Sequence, residues 1–94
     1  MTVYAIWESR FPAESADQGV EATKQIWADM RDFTGYVGHE LVQDLDEPGH
    51  LVVLARWDSR EAADAAMGYA THANARRVDQ LVSEPRRRTV AAAL

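Results

Sequence analysis

The sequence predicts an α+β domain of ferredoxin-like topology, strand-helix-strand-strand-helix-strand, with one antiparallel sheet and both helices on one face. Three observations predict it. Ninety-four residues are enough for one core and not for two, so residues 1–94 make a single domain. Segments of period two and segments of spacing three and four follow one another in the order β-α-β-β-α-β, the split βαβ arrangement. The strands also carry apolar side chains on both faces, although the helices can cover only one. A second copy meeting the open face supplies the missing layer, so the sequence predicts an isologous homodimer.

The elements follow in chain order. Val3 to Glu8 sets Val3, Ala5 and Trp7 against Tyr4, Ile6 and Glu8 and predicts the first strand. Pro12 breaks it, since it cannot donate to a ladder. A helix starts near Ser15 or Asp17, with Val20, Thr23, Ile26, Trp27, Met30 and Phe33 on one side and Glu21, Lys24, Asp29 and Arg31 on the other; Gly35 is the expected left-handed cap. Val37, His39 and Leu41 alternate with Gly38, Glu40 and Val42 in a second strand, closed by the turn-rich stretch from Asp44 to Gly49. The apolar run Leu51 to Ala55, finished by Trp57, is a third strand covered on both faces. Asp58-Ser59-Arg60-Glu61 has the form of a capping box that opens the second helix. That helix is rich in alanine (Ala62, Ala63, Ala65, Ala66) and is expected to kink or restart at Gly68-Tyr69-Ala70-Thr71, where glycine costs about 1 kcal/mol relative to alanine. Thr71 is the expected cap of a second segment carrying Ala75, Val78, Leu81 and Val82, which Pro85 ends. Thr89 to Ala93 is weak by propensity and is taken as the last strand because the topology needs an edge partner.

Composition excludes several classes. A formal net charge of −5 gives no basic footprint for nucleic acid. The one basic run, Arg86-Arg87-Arg88, reads as a charged strand start or edge that discourages aggregation, with an anionic-ligand site or dimer contacts as the alternatives. No apolar run approaches the roughly 20 residues needed to span a bilayer. The N-terminal MTVYAIWESR has no basic region ahead of its apolar residues and reads as a strand and not as a signal peptide, so a cytoplasmic location is expected. Zero cysteines remove disulfides, thiolate metal sites and cysteine nucleophiles. Three histidines on separate elements form no paired ligand spacing, and there is neither a phosphate-binding glycine loop nor a nucleophile elbow, so no metal or cofactor is predicted.

Three stretches, Gly35-Tyr36-Val37-Gly38-His39-Glu40-Leu41, Asp46-Glu47-Pro48, and Leu51 through Trp57-Asp58-Ser59-Arg60-Glu61-Ala62, carry a family resemblance. In this order, over nearly the whole chain, the sequence resembles the antibiotic biosynthesis monooxygenase (ABM) family. The most specific part is a strand ending in tryptophan, followed by an acidic residue and a serine that open a helix. The resemblance implies a dimeric α/β barrel with a small pocket between sheet and helices in each protomer. The family's haem-degrading branch carries an asparagine at the end of strand one, a tryptophan nine positions after the strand tryptophan and a histidine ten positions later. Here those places hold Glu8 or Ser9, Ala66 and Arg76, so haem degradation is not implied. Another branch carries a histidine at the Ala66 position and a second five residues on; His72 matches the second with a one-residue shift. The branch best known by name oxidises aromatic polyketides with dioxygen and no metal or flavin. In that chemistry the substrate supplies the electrons as a phenolate, and the protein binds it, helps deprotonate it and excludes water.

On these grounds His72 and Tyr69, one helical turn apart and with Arg76 a turn further, are candidates for proton handling at a pocket mouth. The competing reading of His72 is a surface residue beside Thr71. His39, between Val37 and Leu41 on one strand face, points toward buried surface, where a histidine is more often a hydrogen-bonded core or interface residue than a catalyst; it is a further catalytic candidate. His50, after Pro48-Gly49, reads as solvated. Trp7, Trp27 and Trp57 are large core contributors; Trp57 and Trp7 are also candidate walls for a flat ligand, with Ala66 leaving space and Arg76 at the rim. The function this predicts is a cofactor-independent monooxygenase acting on a small aromatic or quinone-forming substrate. The alternatives are a non-catalytic dimeric small-molecule binder or auxiliary protein, and a cyclase or isomerase using the same pocket.

Overall fold

The computed structural model describes residues 1–94 except for the side chains of Ala70 and Thr71. The strands are β1 (Val3–Arg10), β2 (Tyr36–Gln43), β3 (His50–Trp57) and β4 (Arg87–Ala92), and the helices are α1 (Ala16–Met30), α2 (Arg60–Ala65) and α3 (Ala73–Leu81). A 3₁₀ turn, Ala66–Thr71, joins α2 to α3. All strand pairs are antiparallel and the order across the sheet is β2-β3-β1-β4. This is the ferredoxin-like α+β fold that the order of elements predicts.

Alternation in β3 decides which way the sheet faces. Leu51, Val53, Ala55 and Trp57 are buried toward the helices, while His50, Val52, Leu54 and Arg56 are half-buried on the other side. Registered against them on β1 are Val3, Ala5, Trp7 and Ser9 on the helix side and Tyr4, Ile6, Glu8 and Arg10 on the open side. Ala22, Ile26, Trp27 and Met30 of α1, Ala63 of α2 and Ala75 and Val78 of α3 complete the core. Three alanines on α2, the turn and α3 (Ala63, Ala66, Ala75) bring these segments close to the large Trp57 ring, which is 1 % exposed.

Four local expectations change. Helix α1 ends at Met30 and not near Gly35. Arg31 to Thr34 turn away instead, with the Phe33 amide on the Met30 carbonyl, and Gly35 sits beyond them at φ 85° with its carbonyl accepting from the Asp58 amide. A Cβ at Gly35 would lie 2.5 Å from both Ala62 Cβ and Asp58 Oδ1, so this glycine permits close approach of a loop to the β3–α2 junction. At that junction Ser59 caps α2, accepting from the Ala62 amide at 3.1 Å. Glu61 is only the second residue of the helix, one position short of closing a capping box. The predicted break in the second helix is present, but its second segment is capped by His72, whose Nδ1 accepts from the Asn74 amide at 3.2 Å; the expected Thr71 cap concerns a side chain outside the described residues. Strand β4 starts earlier than Thr89, because Arg87 and Arg88 already pair with Glu8 and Trp7. Arg88 turns to the helix side, where it reaches Asp64 at 2.9 Å and the Ala63 carbonyl at 3.3 Å.

Candidate functional site

Between the sheet and the helices lies a cavity of about 40 Å³, lined by Ala5, Trp7, Ile26, Trp27, Met30, Trp57, Ala63, Ala66, Met67, Tyr69, Ala75 and Arg86. Its position follows from side-chain size. The sheet contributes two indole rings and an alanine, α1 contributes Ile26, Trp27 and Met30, and the α2–α3 side offers alanines that do not reach far enough to fill the space. Met67 is 42 % exposed and Arg86 is half-buried, whereas most of the remaining lining is buried, so the mouth lies between those two.

Among the described residues that line it, Tyr69 and Arg86 are the ionisable ones. Tyr69 donates its hydroxyl proton to Asp29 Oδ2 at 2.5 Å, and its ring meets Phe33 edge-on at 6.2 Å. Burial, then the Asp29 carboxylate, pushes the Tyr69 phenol above its ordinary pKa of 10.0. It is therefore neutral at physiological pH, with a carboxylate already placed to take its proton. Arg86 stacks its guanidinium over Trp7, 4.9 Å from the ring centroid, and is held by Asp79 through Nε at 2.7 Å and Nη2 at 3.3 Å. The Trp57 Nε1 atom is buried with no hydrogen-bond partner among the described residues, which leaves an unsatisfied donor on a residue of the lining.

Of the residues singled out from the sequence, Tyr69, Trp57, Trp7 and Ala66 all line this cavity. His72 stacks flat on Tyr69, with ring centroids 4.4 Å apart and planes 15° from parallel. It does so from the solvent side: it is exposed, caps α3 and does not line the cavity. The continuous helical spacing that would have set Tyr69, His72 and Arg76 on one side is interrupted by the 3₁₀ turn, and Arg76 is exposed on α3 away from the lining. His39 is separated from the cavity by Trp27, whose ring lies 5.6 Å away. It bonds through Nδ1 to the Tyr36 hydroxyl and lines a different groove, between β2 and α1, with Lys24 and Arg31. Burial first, then Arg31 and Arg56, hold its pKa below 6.5, so it is neutral at pH 7.

Sequence reading passed over Asp29, Arg86 and Met67. The helical stripe alone sets Asp29 on the solvent side of α1, yet it precedes Met30 and sits three residues after Ile26, at the margin of the apolar stripe. That adjacency was the available signal. Arg86 belonged to a basic run whose alternating directions become visible only with the β1–β4 register. His50, expected to be solvated, is instead only 15 % exposed in its side chain; Nδ1 lies 3.0 Å from Asp44 Oδ2 and Nε2 3.1 Å from Glu8 Oε1. Asp44, Glu47 and His50 also bring three potential metal ligands within 4.8 Å of one another, but both imidazole nitrogens already face carboxylates and Glu47 is taken by Arg10.

The chain is similar in fold to solved structures over its whole length. Rv0793 from Mycobacterium tuberculosis is 25 % identical with a TM-score of 0.85, over 100 % of this chain and 96 % of that one. SnoaB from Streptomyces nogalater, described as a cofactor-independent oxygenase, is 17 % identical with a TM-score of 0.80, over 99 % and 92 %. A structure described as an antibiotic biosynthesis monooxygenase is 17 % identical with a TM-score of 0.81, over 98 % of each chain. No curated protein is significantly similar in sequence. The family model for antibiotic biosynthesis monooxygenase matches residues 2–78, the stretch from β1 into α3 that supplies every cavity wall except Arg86, and the chain therefore belongs to the antibiotic biosynthesis monooxygenase family.

Proposed function

We propose that this protein is a cofactor-independent monooxygenase that oxidises a small aromatic, quinone-forming substrate and acts as a homodimer. The observation that carries the reading is Tyr69, backed by Asp29, in the wall of a largely apolar cavity with three indole rings. A phenolic substrate lying against Trp7, Trp27 and Trp57 brings its hydroxyl to the one neutral proton-transfer group in the lining. Tyr69 takes that proton as it passes its own to Asp29, so the acceptor is a carboxylate although the contact is a phenol. The resulting phenolate gives electrons to dioxygen from its para carbon. A C–O bond forms, the ring C–H proton leaves, the O–O bond breaks, and one oxygen remains as the quinone carbonyl while the other departs as water: phenol and dioxygen give quinone and water. The unsatisfied Trp57 N–H and the Arg86 guanidinium favour negative charge on substrate oxygen. Family membership and the description of SnoaB support the reaction class; the walls support the substrate class.

The homodimer is supported by the open sheet face, where Tyr4, Ile6, Val52 and Leu54 form an apolar centre that the described chain does not cover. A non-catalytic binder is the second reading. The lining favours it, because among the described residues it holds no histidine and Tyr69 alone for proton handling; under either reading about 40 Å³ is well below the roughly 150 Å³ that admits benzene, so an aromatic ligand requires the mouth to open. Incubation with dihydroxynaphthalenes under ¹⁸O₂ separates the two. One labelled oxygen in the quinone and one in water is the monooxygenase result; bound but unconverted ligand is the binder result.

A further inference from the structure

Trp7 and Arg86 line two spaces at once: the inner cavity, and an outer open cleft of about 580 Å³ walled also by Asp79, Val82, Ser83, Glu84 and Pro85. The partition between them is the guanidinium lying on the indole, 4.9 Å from its centroid, and the groups that fix it are the two Asp79 oxygens at 2.7 and 3.3 Å. The inner space alone is too small for an aromatic ring, whereas the outer one is ample, and among the described residues only these two side chains are common to both linings.

We propose that Arg86 is a latched partition, and that the complete ligand site is the joined space that opens when its guanidinium leaves Asp79. This rests on the aromatic-ligand reading above and adds what that ligand must carry: a planar ring system long enough to run from Trp57 past Trp7 into the cleft, with an ionised oxygen that replaces the Asp79 carboxylate on the guanidinium fork. Three features make the exchange feasible. Arginine recognises planar oxyanions through paired N–H groups and stacks on aromatic faces, so the same side chain serves the closed and the liganded state. The cation–π contact that the guanidinium gives up on Trp7 is replaced by one on the ligand's own ring, so leaving the partition forfeits little of that attraction. The latch itself is weak enough to open, because the Asp79 side chain is 51 % exposed and its pairing with Arg86 is screened by salt.

The test is stopped-flow quenching of tryptophan fluorescence by anthraquinone-2-carboxylate, a planar ring system whose carboxylate is ionised at neutral pH and which has no phenol to oxidise, with the full chain and with Asp79→Asn. Asp79 is on the surface of α3, outside both the cavity lining and the proton relay. The latch predicts an association rate in the wild type that saturates at high ligand, limited by opening, and a limiting rate roughly 10-fold higher in Asp79→Asn. It also predicts that raising ionic strength from about 0.05 to 0.5 M accelerates binding to the wild type and not to the variant, a comparison that holds on the wild type alone if the variant folds poorly. Quenching with equal or slower rates in Asp79→Asn, and no acceleration by salt in the wild type, overturns the latch and leaves the aromatic-ligand reading standing. No quenching in either protein overturns both.

Discussion

At the scale of single residues, proton handling turns on which side of Tyr69 a group lies. Its hydroxyl is on the Asp29 side and its ring is part of the cavity wall, while His72 covers the opposite, solvent-facing surface. The expected outcome for His72→Ala is turnover within about two-fold of the wild type, together with a loss of about 0.5–1 kcal/mol of stability from the missing α3 cap, measured by oxygen uptake and urea unfolding. The two roles the sequence left open for His72 are thereby distinguished. Tyr69, Trp57, Trp7 and Ala66 were legible because a small core has few places for large aromatic rings and an alanine-rich helix leaves space beside them. Asp29 was not legible, because a carboxylate at the edge of an apolar stripe reads as solvated until the partner from another helix is known.

At the scale of elements, two junctions tie the sheet and its connections together. The first is the β3–α2 junction, where Ser59 accepts the Ala62 amide and Gly35 packs against Ala62 and Asp58. Ser59→Ala is expected to cost about 1 kcal/mol, readable as a shift in the chemical denaturation midpoint with an unchanged slope. The second is the β2–β3 hairpin, clasped to β1 by His50 between Asp44 and Glu8. Hydrogen bonds to Asp44 and then Glu8 raise the His50 pKa above 6.5, and the His50 bond, then the Asp46 and Glu47 amides, lower that of Asp44 from 3.8 to about 2. The signs give the window. A raised histidine pKa contributes stability that is complete below its unfolded value near 6.5 and is lost as pH rises through the folded value; a lowered carboxyl pKa contributes stability present above 3.8 and lost as pH falls through about 2. His50→Gln is therefore expected to lower the thermal midpoint most between about pH 4 and 6.5, and the deficit should shrink in alkaline buffer. A deficit independent of pH would refute the charged clasp. The hairpin was legible from Pro48-Gly49 and the flanking strands, but the clasp was not, since it needs the register that sets His50 against Arg10 and close to Glu8.

At the scale of the whole molecule, the order of elements sufficed for the topology because each strand and helix shows its own period and the connections allow few arrangements. The weak β4 was the exception. Its alanines and arginines have little strand propensity, and pairing with β1 decides its conformation. The doubly apolar strands point further, to a partner on the open face. Leu54→Asp, which sets a charge opposite Ile6 at the centre of that face, is expected to convert a dimer to a monomer by sedimentation velocity without disturbing the cavity on the other side of the sheet. The proposed function rests on the Tyr69–Asp29 pair as proton acceptor for oxidation of a phenol by dioxygen. The most direct measurement is the oxygen-uptake rate with a dihydroxynaphthalene for the wild type and Tyr69→Phe, which keeps the ring and removes the hydroxyl. Uptake by the wild type and a fall of about 10²-fold or more in the variant are expected; equal uptake by the two proteins would contradict this role for Tyr69.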